Sequence, residues 1–451
     1  MPSAYLKRDL SATGNQKKWT FSAWIKISDV MDNHNRFIFS ANNEHSGGGN
    51  YTSLYISTDH YLRFYNYSGG GVINALATNR RLRDCSAWYH IMMHYDSANS
   101  TADDRIKFYI NGVQETSMDT RTNPSQNYNS YIESGYRMFI GTQTDSTGST
   151  SDFDGEMTHV HFANDQLYAP TVFGETDATT GIWKPKVSPS GVTYGTNGYF
   201  LKFDNSANMG LDSGGGSNNF TTSGTIIQNK NTPSNIFASL NRLAKPTSGG
   251  FNTFSNVNSE ITNSADAFRT SFATLGVSKG KYYWEAKFLS GEMKQMIGIS
   301  KPYDEMDYVG QSANSYGFQN ENARRYNNGS QTSYGSTASS GDIIMVAFDA
   351  TNGAIWVGKN GTWFNSATQS EIEAGTVTNA MYSSITMDDY FLPAFTVEDS
   401  NIQVNFGNGY FGTTAVSSAQ NPDDGIGIFE YDVPAGYRAL CTKSINAEEY
   451  S

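Results

Sequence analysis

Cysteine is nearly absent from this chain. Two residues in 451, Cys85 and Cys441, stand far apart and form no Cys-x-x-Cys pair. That excludes a disulfide framework and leaves two buried free thiols as the expectation. Charge is scarce as well: 16% of residues are charged, for a net charge of −12, and no Lys/Arg cluster stands out. A protein that tracks nucleic-acid phosphates needs such a cluster, so that class is excluded. Long apolar runs are missing. The longest strongly apolar stretch, Ile343 to Phe348, is strand-length, far short of the ~20 residues of a spanning helix. The N-terminal residues carry no apolar signal region, so the expectation is synthesis in a cytoplasm without a signal peptide and no membrane insertion. No heptad and no fixed-period repeat is present, which argues against a long fibre.

What the chain has is glycine, Ser, Thr and Asn between aromatic runs: 43 Gly, 28 Tyr and 26 Phe. That composition suits sheets joined by tight polar turns and is unlike disorder, which lacks aromatics. In Trp19-Thr-Phe-Ser-Ala-Trp-Ile-Lys-Ile27, the residues Trp19, Phe21, Ala23, Ile25 and Ile27 share one face. Short alternating segments follow at 36–40, 53–57, 61–65, 87–95, 105–110, 136–141 and 155–162. Regular short strands between turn signals predict a sandwich over residues 1–172. Residues 173–250 are Gly/Ser/Asn-rich, yet carry Trp183, Tyr199, Phe200, Phe203, Phe220 and Phe237. These are costly to leave in water, so an ordered connector with one or two strands is expected.

A second sandwich is expected over 251–412. Lys281-Tyr-Tyr-Trp-Glu-Ala-Lys-Phe288 places Tyr282, Trp284, Ala286 and Phe288 on one face. Gly341 to Phe348 and Ala354 to Trp363 follow, and Asn360-Gly361 is the pair a type I′ hairpin needs. Further Asn-Gly pairs lie at 111, 197, 328, 352 and 408. Trp284 and Trp356 are expected in the core of this sandwich. The tail, 413–451, is expected to pack on it. The fold class is therefore all-β, two antiparallel β-sandwich domains with an ordered connector.

Two resemblances add to the pattern. The ordered segments FSAWIKIS, SAWYHIMMHYD, RIKFYINGVQ, FIGTQ and DFDGEMTHVHF resemble the laminin-G/concanavalin-A-like jelly roll. The run from Lys281 to Trp363, with Lys294 to Ser300, Phe391 to Phe395 and Gln403 to Gly407, resembles the SPRY domain, a binding module. The whole set, with GIWKPK, YGTNGYFLKF, NTPSNIFASLN and VPAGYRALCTKSI, resembles virion proteins of tailed phages, notably marine ones. That resemblance implies a virion surface component, in many copies or homo-oligomeric, whose partners are other virion proteins and a host-surface glycan or protein.

Candidate chemistry is thin. Gly276-Val-Ser278-Lys-Gly280 spells G-x-S-x-G, but a strand follows where a nucleophile elbow needs a helix. The paired carboxylates of a glycosidase are not found at the E-x-D-x-x-E spacing of jelly-roll glucanases; Glu305-Met-Asp307 lacks the third carboxylate and Glu371-Ile-Glu373 lies in a loop-like stretch. His90 and His94, and His159 and His161, each share a strand face, without the third and fourth ligands of a zinc site; hydrogen-bonded or surface histidines are the better reading. Asp152-Phe-Asp154-Gly155 suits calcium, a hard ion that prefers oxygen, and equally suits an ordinary turn. Tyr303, Tyr308, Tyr316, Tyr326 and Tyr334, with Arg324 and Arg325, fall in the loop-rich part of the SPRY-like segment. In that family the rim loops hold the ligand, and Tyr and Arg are the residues that carry interfaces. The sequence reading is a non-enzymatic adhesin, a tail or fibre tip or knob. The alternative is an architectural decoration or connector protein that binds capsid or tail subunits.

Overall fold

Strand alternation and polar turns build the whole chain. The computed structural model describes residues 4–449, apart from 32, 44–48, 145–151, 245–249, 292–293, 303 and 305. It divides into two units, Met1–Gln228 and Asn229–Ser451. Among the described residues the α-helices are two short ones, Gln369–Glu373 and Thr442–Glu449, and none is long and apolar enough to cross a membrane. Both cysteines are buried and free, and burial pushes the Cys85 thiol up to about 11.

The first unit is a sandwich of two antiparallel sheets. One has six strands, in the order Tyr199–Leu201, Gly155–Asn164, Lys18–Ile27, Tyr89–Asp96, Ile106–Ile110 and Val113–Glu115. The other has eight, in the order Met118–Thr122, Gly71–Arg81, Tyr61–Ser68, Tyr51–Ile56, Arg36–Asn42, Arg137–Ile140, Tyr5–Asp9 and Thr221–Ser223. Trp19, Phe21, Ala23, Ile25 and Ile27 all point into the core between them, where Trp19 stacks on Tyr95 at 5.1 Å. Each such large apolar side chain contributes roughly 1.5–3 kcal/mol on full burial.

Alternation predicts a half-buried central strand, yet Thr20, Ser22, Trp24 and Lys26, on its other phase, are buried too. The chain beyond residue 164 folds back over that outer face. Thr20 donates to the Gln166 carbonyl, His94 meets the Tyr168 carbonyl at 2.6 Å, and Trp183 reaches His90. The stretch expected as a connector is thus divided. Residues 173–228 supply one edge strand to each sheet of the first unit, and 229–250 belong to the second. Tyr199, Phe200, Phe220 and Phe237 are all buried.

The second unit pairs an eight-stranded sheet, centred on Lys281–Gly291 and Ile343–Asp349, with a six-stranded one. The latter runs Arg269–Phe272, Leu392–Val397, Met296–Ser300, Ser315–Gln319, Arg324–Asn327 and Ser330–Ser333. Tyr282, Trp284, Ala286 and Phe288 enter the inter-sheet core as their shared phase requires. Trp356 is fully buried but sits elsewhere. Its strand neighbours Ile355 and Val357 face the core, while Trp356 lies on the other face of the sheet with Tyr283, Phe429 and Tyr437. What covers that face is the C-terminal segment, whose Arg438–Ala439 pairs in parallel with Tyr282 and Tyr283. At Asn111-Gly112, Asn328-Gly329 and Asn360-Gly361 both residues have positive φ, the type I′ geometry, and each joins two adjacent strands. At 352 and 408 only the glycine is left-handed, and at 197 neither residue is.

Candidate functional site

The expected SPRY rim is not one cluster. Tyr316 and Arg325 stand on the core-facing side of their strands. The Tyr316 ring meets Tyr382 edge-on at 5.1 Å, and the Arg325 guanidinium lies 5.0 Å over the same Tyr382 ring while donating to the Met381 carbonyl. Tyr326 and Arg324 share the side turned away from the core. There the Tyr326 hydroxyl accepts from Asn322 at 2.6 Å and has Gln319 and Gln331 as acceptors, and Arg324 donates to Gln331 at 2.8 Å. Tyr308 packs edge-on against Tyr326 at 5.9 Å. Tyr326 is 9% exposed, so its ring is spent on packing and only the polar network around it reaches solvent. Tyr334 is a core residue, 4% exposed between Phe318 and Phe364. Burial pushes its hydroxyl above the usual phenol range. Tyr303 and Glu305 lie outside the described residues. The exposed Arg324 and the half-buried Tyr308, Tyr316 and Arg325 are the members open to a partner.

A second aromatic surface escaped the sequence reading. On the outward face of the eight-stranded sheet of the first unit, Tyr51 stands opposite Tyr67, Ser53 opposite Tyr65, and Tyr55 opposite Arg63. Tyr51 and Tyr67 stack at 4.8 Å, Phe37 and Tyr55 at 4.7 Å, and Tyr65 meets Tyr55 edge-on at 5.4 Å. Arg63 bridges Asp59 at 2.8 Å and the Tyr65 hydroxyl at 3.3 Å. Arg81 donates to the Tyr61 hydroxyl at 3.0 Å and lies 5.0 Å over its ring. The signal was present: in Tyr61-Leu-Arg-Phe-Tyr-Asn-Tyr67 every outward position is Tyr or Arg. Period-two alternation marks the inward phase by its apolar residues and leaves this outward phase unmarked.

The two metal candidates differ in their surroundings. Asp154 accepts from the Ser28 hydroxyl at 2.6 Å, while Asp152 Oδ1 is buried with no hydrogen-bond partner. Among the described residues no three His, Cys, Asp or Glu side chains converge as a metal would need. Two carboxylates alone fall short of the about six oxygens that calcium takes at minimum. His159 sits at a bulge with φ 49°, and both it and His161 pack on Phe200, at 5.7 and 4.0 Å. His90 is fully buried between two partners: Trp183 Nε1 donates to its Nδ1 at 3.0 Å, and its Nε2 lies 2.8 Å from the Ser22 hydroxyl. An indole N–H only donates, so Nδ1 is the acceptor and the proton sits on Nε2, donated to Ser22. Burial pushes His90 down to about 3, His159 to about 4, and His161 well below the usual imidazole range. Ser278 donates to Glu449 at 3.1 Å and, with Gly276, Tyr390 and Ile445, lines an open cleft of about 480 Å³. Its neighbours include no histidine, so the geometry of a nucleophile elbow is not assembled.

One buried carboxylate was not foreseen. Glu285, fully buried on the outer face of the second unit's large sheet, accepts from the Glu430 and Tyr431 backbone N–H groups at 2.9 and 2.8 Å. The Tyr283 hydroxyl donates to it at 2.9 Å and Asn405 approaches at 3.4 Å. Burial pushes it up to about 7, against the pull of those hydrogen bonds. Every partner is structural, and the residue pins the C-terminal segment to the sheet.

With this geometry in view, the comparisons with known proteins fall into place. Residues 3–173 match the concanavalin A-like lectin/glucanases superfamily, and residues 281–409 match the SPRY domain. The chain therefore carries one domain of each kind. Among solved structures it is similar to the SPRY domain of human HERC1, at 17% identity over 32% of this chain and 87% of that one, with a TM-score of 0.27. It is also similar to the heptameric SAP-like pentraxin of Limulus polyphemus, at 16% identity over 45% of this chain and 87% of that one, with a TM-score of 0.30. No curated protein matches the chain.

Proposed function

We propose that this chain is a non-enzymatic binding protein of a phage virion surface that attaches to a host-surface glycan or protein. The observation that carries the binding half is that both units are sandwiches of classes that commonly mediate binding, a lectin-like one and a SPRY one. Each presents polar aromatic side chains, Tyr and Arg, from rigid strands. Tyr and Arg give large contact area at modest ordering cost, which is why they anchor interfaces. The virion half rests on the ordered set of segments that resembles tailed-phage proteins. One small site binds weakly, and display in many copies raises effective affinity by ~10²–10⁴.

The test mixes monomeric and multimerised protein with bacterial host cells. Binding by the multimer, reduced by Arg324→Ala with Arg325→Ala, is the expected result. If neither form binds cells and the protein attaches instead to purified particles that lack it, the architectural reading replaces adhesion. Turnover of host polysaccharide by the purified chain, abolished by one carboxylate substitution, would overturn the non-enzymatic reading.

A further inference from the structure

We infer that the tyrosine face of the first unit's eight-stranded sheet is a binding site for a neutral saccharide chain, an inference that rests on the reading of this protein as a binder. Five phenols, Tyr51, Tyr55, Tyr61, Tyr65 and Tyr67, share the outward phase of two neighbouring strands. Tyr55 is buried and the other four are half-buried, the Tyr61 and Tyr65 hydroxyls accepting from Arg81 and Arg63. A row of large rings on a solvent-facing sheet is unusual for a surface that meets only water.

The chemistry of the face selects the occupant. It is polar throughout: every ring but Phe37 carries a hydroxyl, and the Arg63 guanidinium lies among them. An apolar partner would strand those donors and acceptors, and each stranded group carries a desolvation cost. Beneath the rings the Ser53 hydroxyl and Arg63 Nε are buried without a partner, so unsatisfied polar atoms underlie the face as well as edge it. Its charge is modest. Arg63 is paired with Asp59, Arg81 keeps its charge while it lies on the Tyr61 ring and hydroxyl, and burial pushes the Tyr51 and Tyr55 hydroxyls above the usual phenol range. With a net charge of −12 on the chain, a polyanion is repelled at long range, and against that repulsion this face sets the exposed Arg81 and the already paired Arg63. A neutral sugar offers what this surface lacks: C–H faces for the rings and hydroxyls for hydroxyls and guanidinium. Val72, opposite Tyr67 and 48% exposed, extends the face with an apolar ledge at the Gly69–Gly71 turn.

The experiment is affinity electrophoresis of the full chain through gels containing dextran, mannan, galactan or the anionic alginate. Retardation by at least one neutral polysaccharide is expected. Tyr65→Ala with Tyr67→Ala should weaken it tenfold or more with the melting temperature of the first unit unchanged. If that pair disturbs folding, Tyr65→Phe with Tyr67→Phe keeps the rings and removes the hydroxyls, and should weaken retardation several-fold. No retardation by any neutral polysaccharide, retardation by alginate alone, or retardation that survives the variants overturns the inference. Failure here while the multimer still binds cells leaves the adhesion reading standing; failure of both removes it as well.

Discussion

Acid should shift the stability of the two units in opposite senses, and the histidines of the first unit show why. His90 and His159 are neutral in the folded chain, held at about 3 and about 4 by burial. In the unfolded chain an imidazole titrates near 6.5. Their folded values are depressed, so the unfolded chain takes up the protons first as pH falls. Stability is full above about 6.5 and is lost progressively below it. At pH 5 each group has cost about 2 kcal/mol, about 4 together, and His161 adds to this in the same direction. That is a large part of the 5–15 kcal/mol a domain typically has. Glu285 behaves inversely. Its folded value of about 7 lies above the unfolded carboxylate value of about 4.5, so its contribution is best at low pH and is lost as pH rises through 7. Lowering pH from 7.5 to 5 should therefore stabilise the second unit by about 2 kcal/mol. Calorimetry of the full chain at the two pH values should show one transition falling and the other rising. His90→Gln keeps an acceptor for Trp183 without a protonatable ring. It should be less stable at pH 7.5 yet lose less on acidification, by about the 2 kcal/mol of one proton. Two transitions that fall together, or a His90→Gln chain as acid-sensitive as the parent, would refute the argument.

Other outcomes follow from the second unit. Glu285→Ala leaves two backbone N–H groups and the Tyr283 hydroxyl without their acceptor, at about 1 kcal/mol or more each, while Asn405 keeps the Ile428 carbonyl. Urea unfolding should show a loss of about 3 kcal/mol, and limited proteolysis should cut first in the segment around Glu430. Trp284→Ala and Trp356→Ala should each cost about 3–5 kcal/mol through transfer and cavity terms, although they empty opposite faces of one sheet. An unchanged melting temperature in either variant would show that the assigned strand phase is wrong.

Strand identity was legible wherever one phase of a strand is consistently apolar. The Trp19 to Ile27 and Tyr282 to Phe288 phases read straight from the sequence because period-two alternation is a local property. What covers the other face is not local. Thr20, Ser22, Trp24 and Lys26 look like a solvent phase until residues from 166 onward return over them, and Trp356 looks like core until the segment from 429 to 441 covers it. The strands Tyr5–Asp9 and Gly71–Arg81 were missed because neither alternates clearly. Among the site residues, clustering in sequence misled: Tyr316 and Tyr326 are ten positions apart and stand on opposite sides of paired strands. Tyr51 and Tyr67 stack across a hairpin, a pairing that no local pattern shows.

The way the second unit begins and closes has a mechanical consequence. Ile236 and Thr442 hold each other by two hydrogen bonds, Ile236 N–H to Thr442 Oγ1 at 3.0 Å and Thr442 N–H to the Ile236 carbonyl at 2.9 Å. Phe237 bridges Cys441 antiparallel beside them. The incoming and outgoing chain therefore leave from the same end of an antiparallel pair. A load applied between residues 229 and 449 falls on these bonds one after another, as on the teeth of a zip, before it reaches the sheets. The sandwich itself is shielded until that clasp has opened, so tension would free the C-terminal segment from Glu285 before it reaches the core around Trp284.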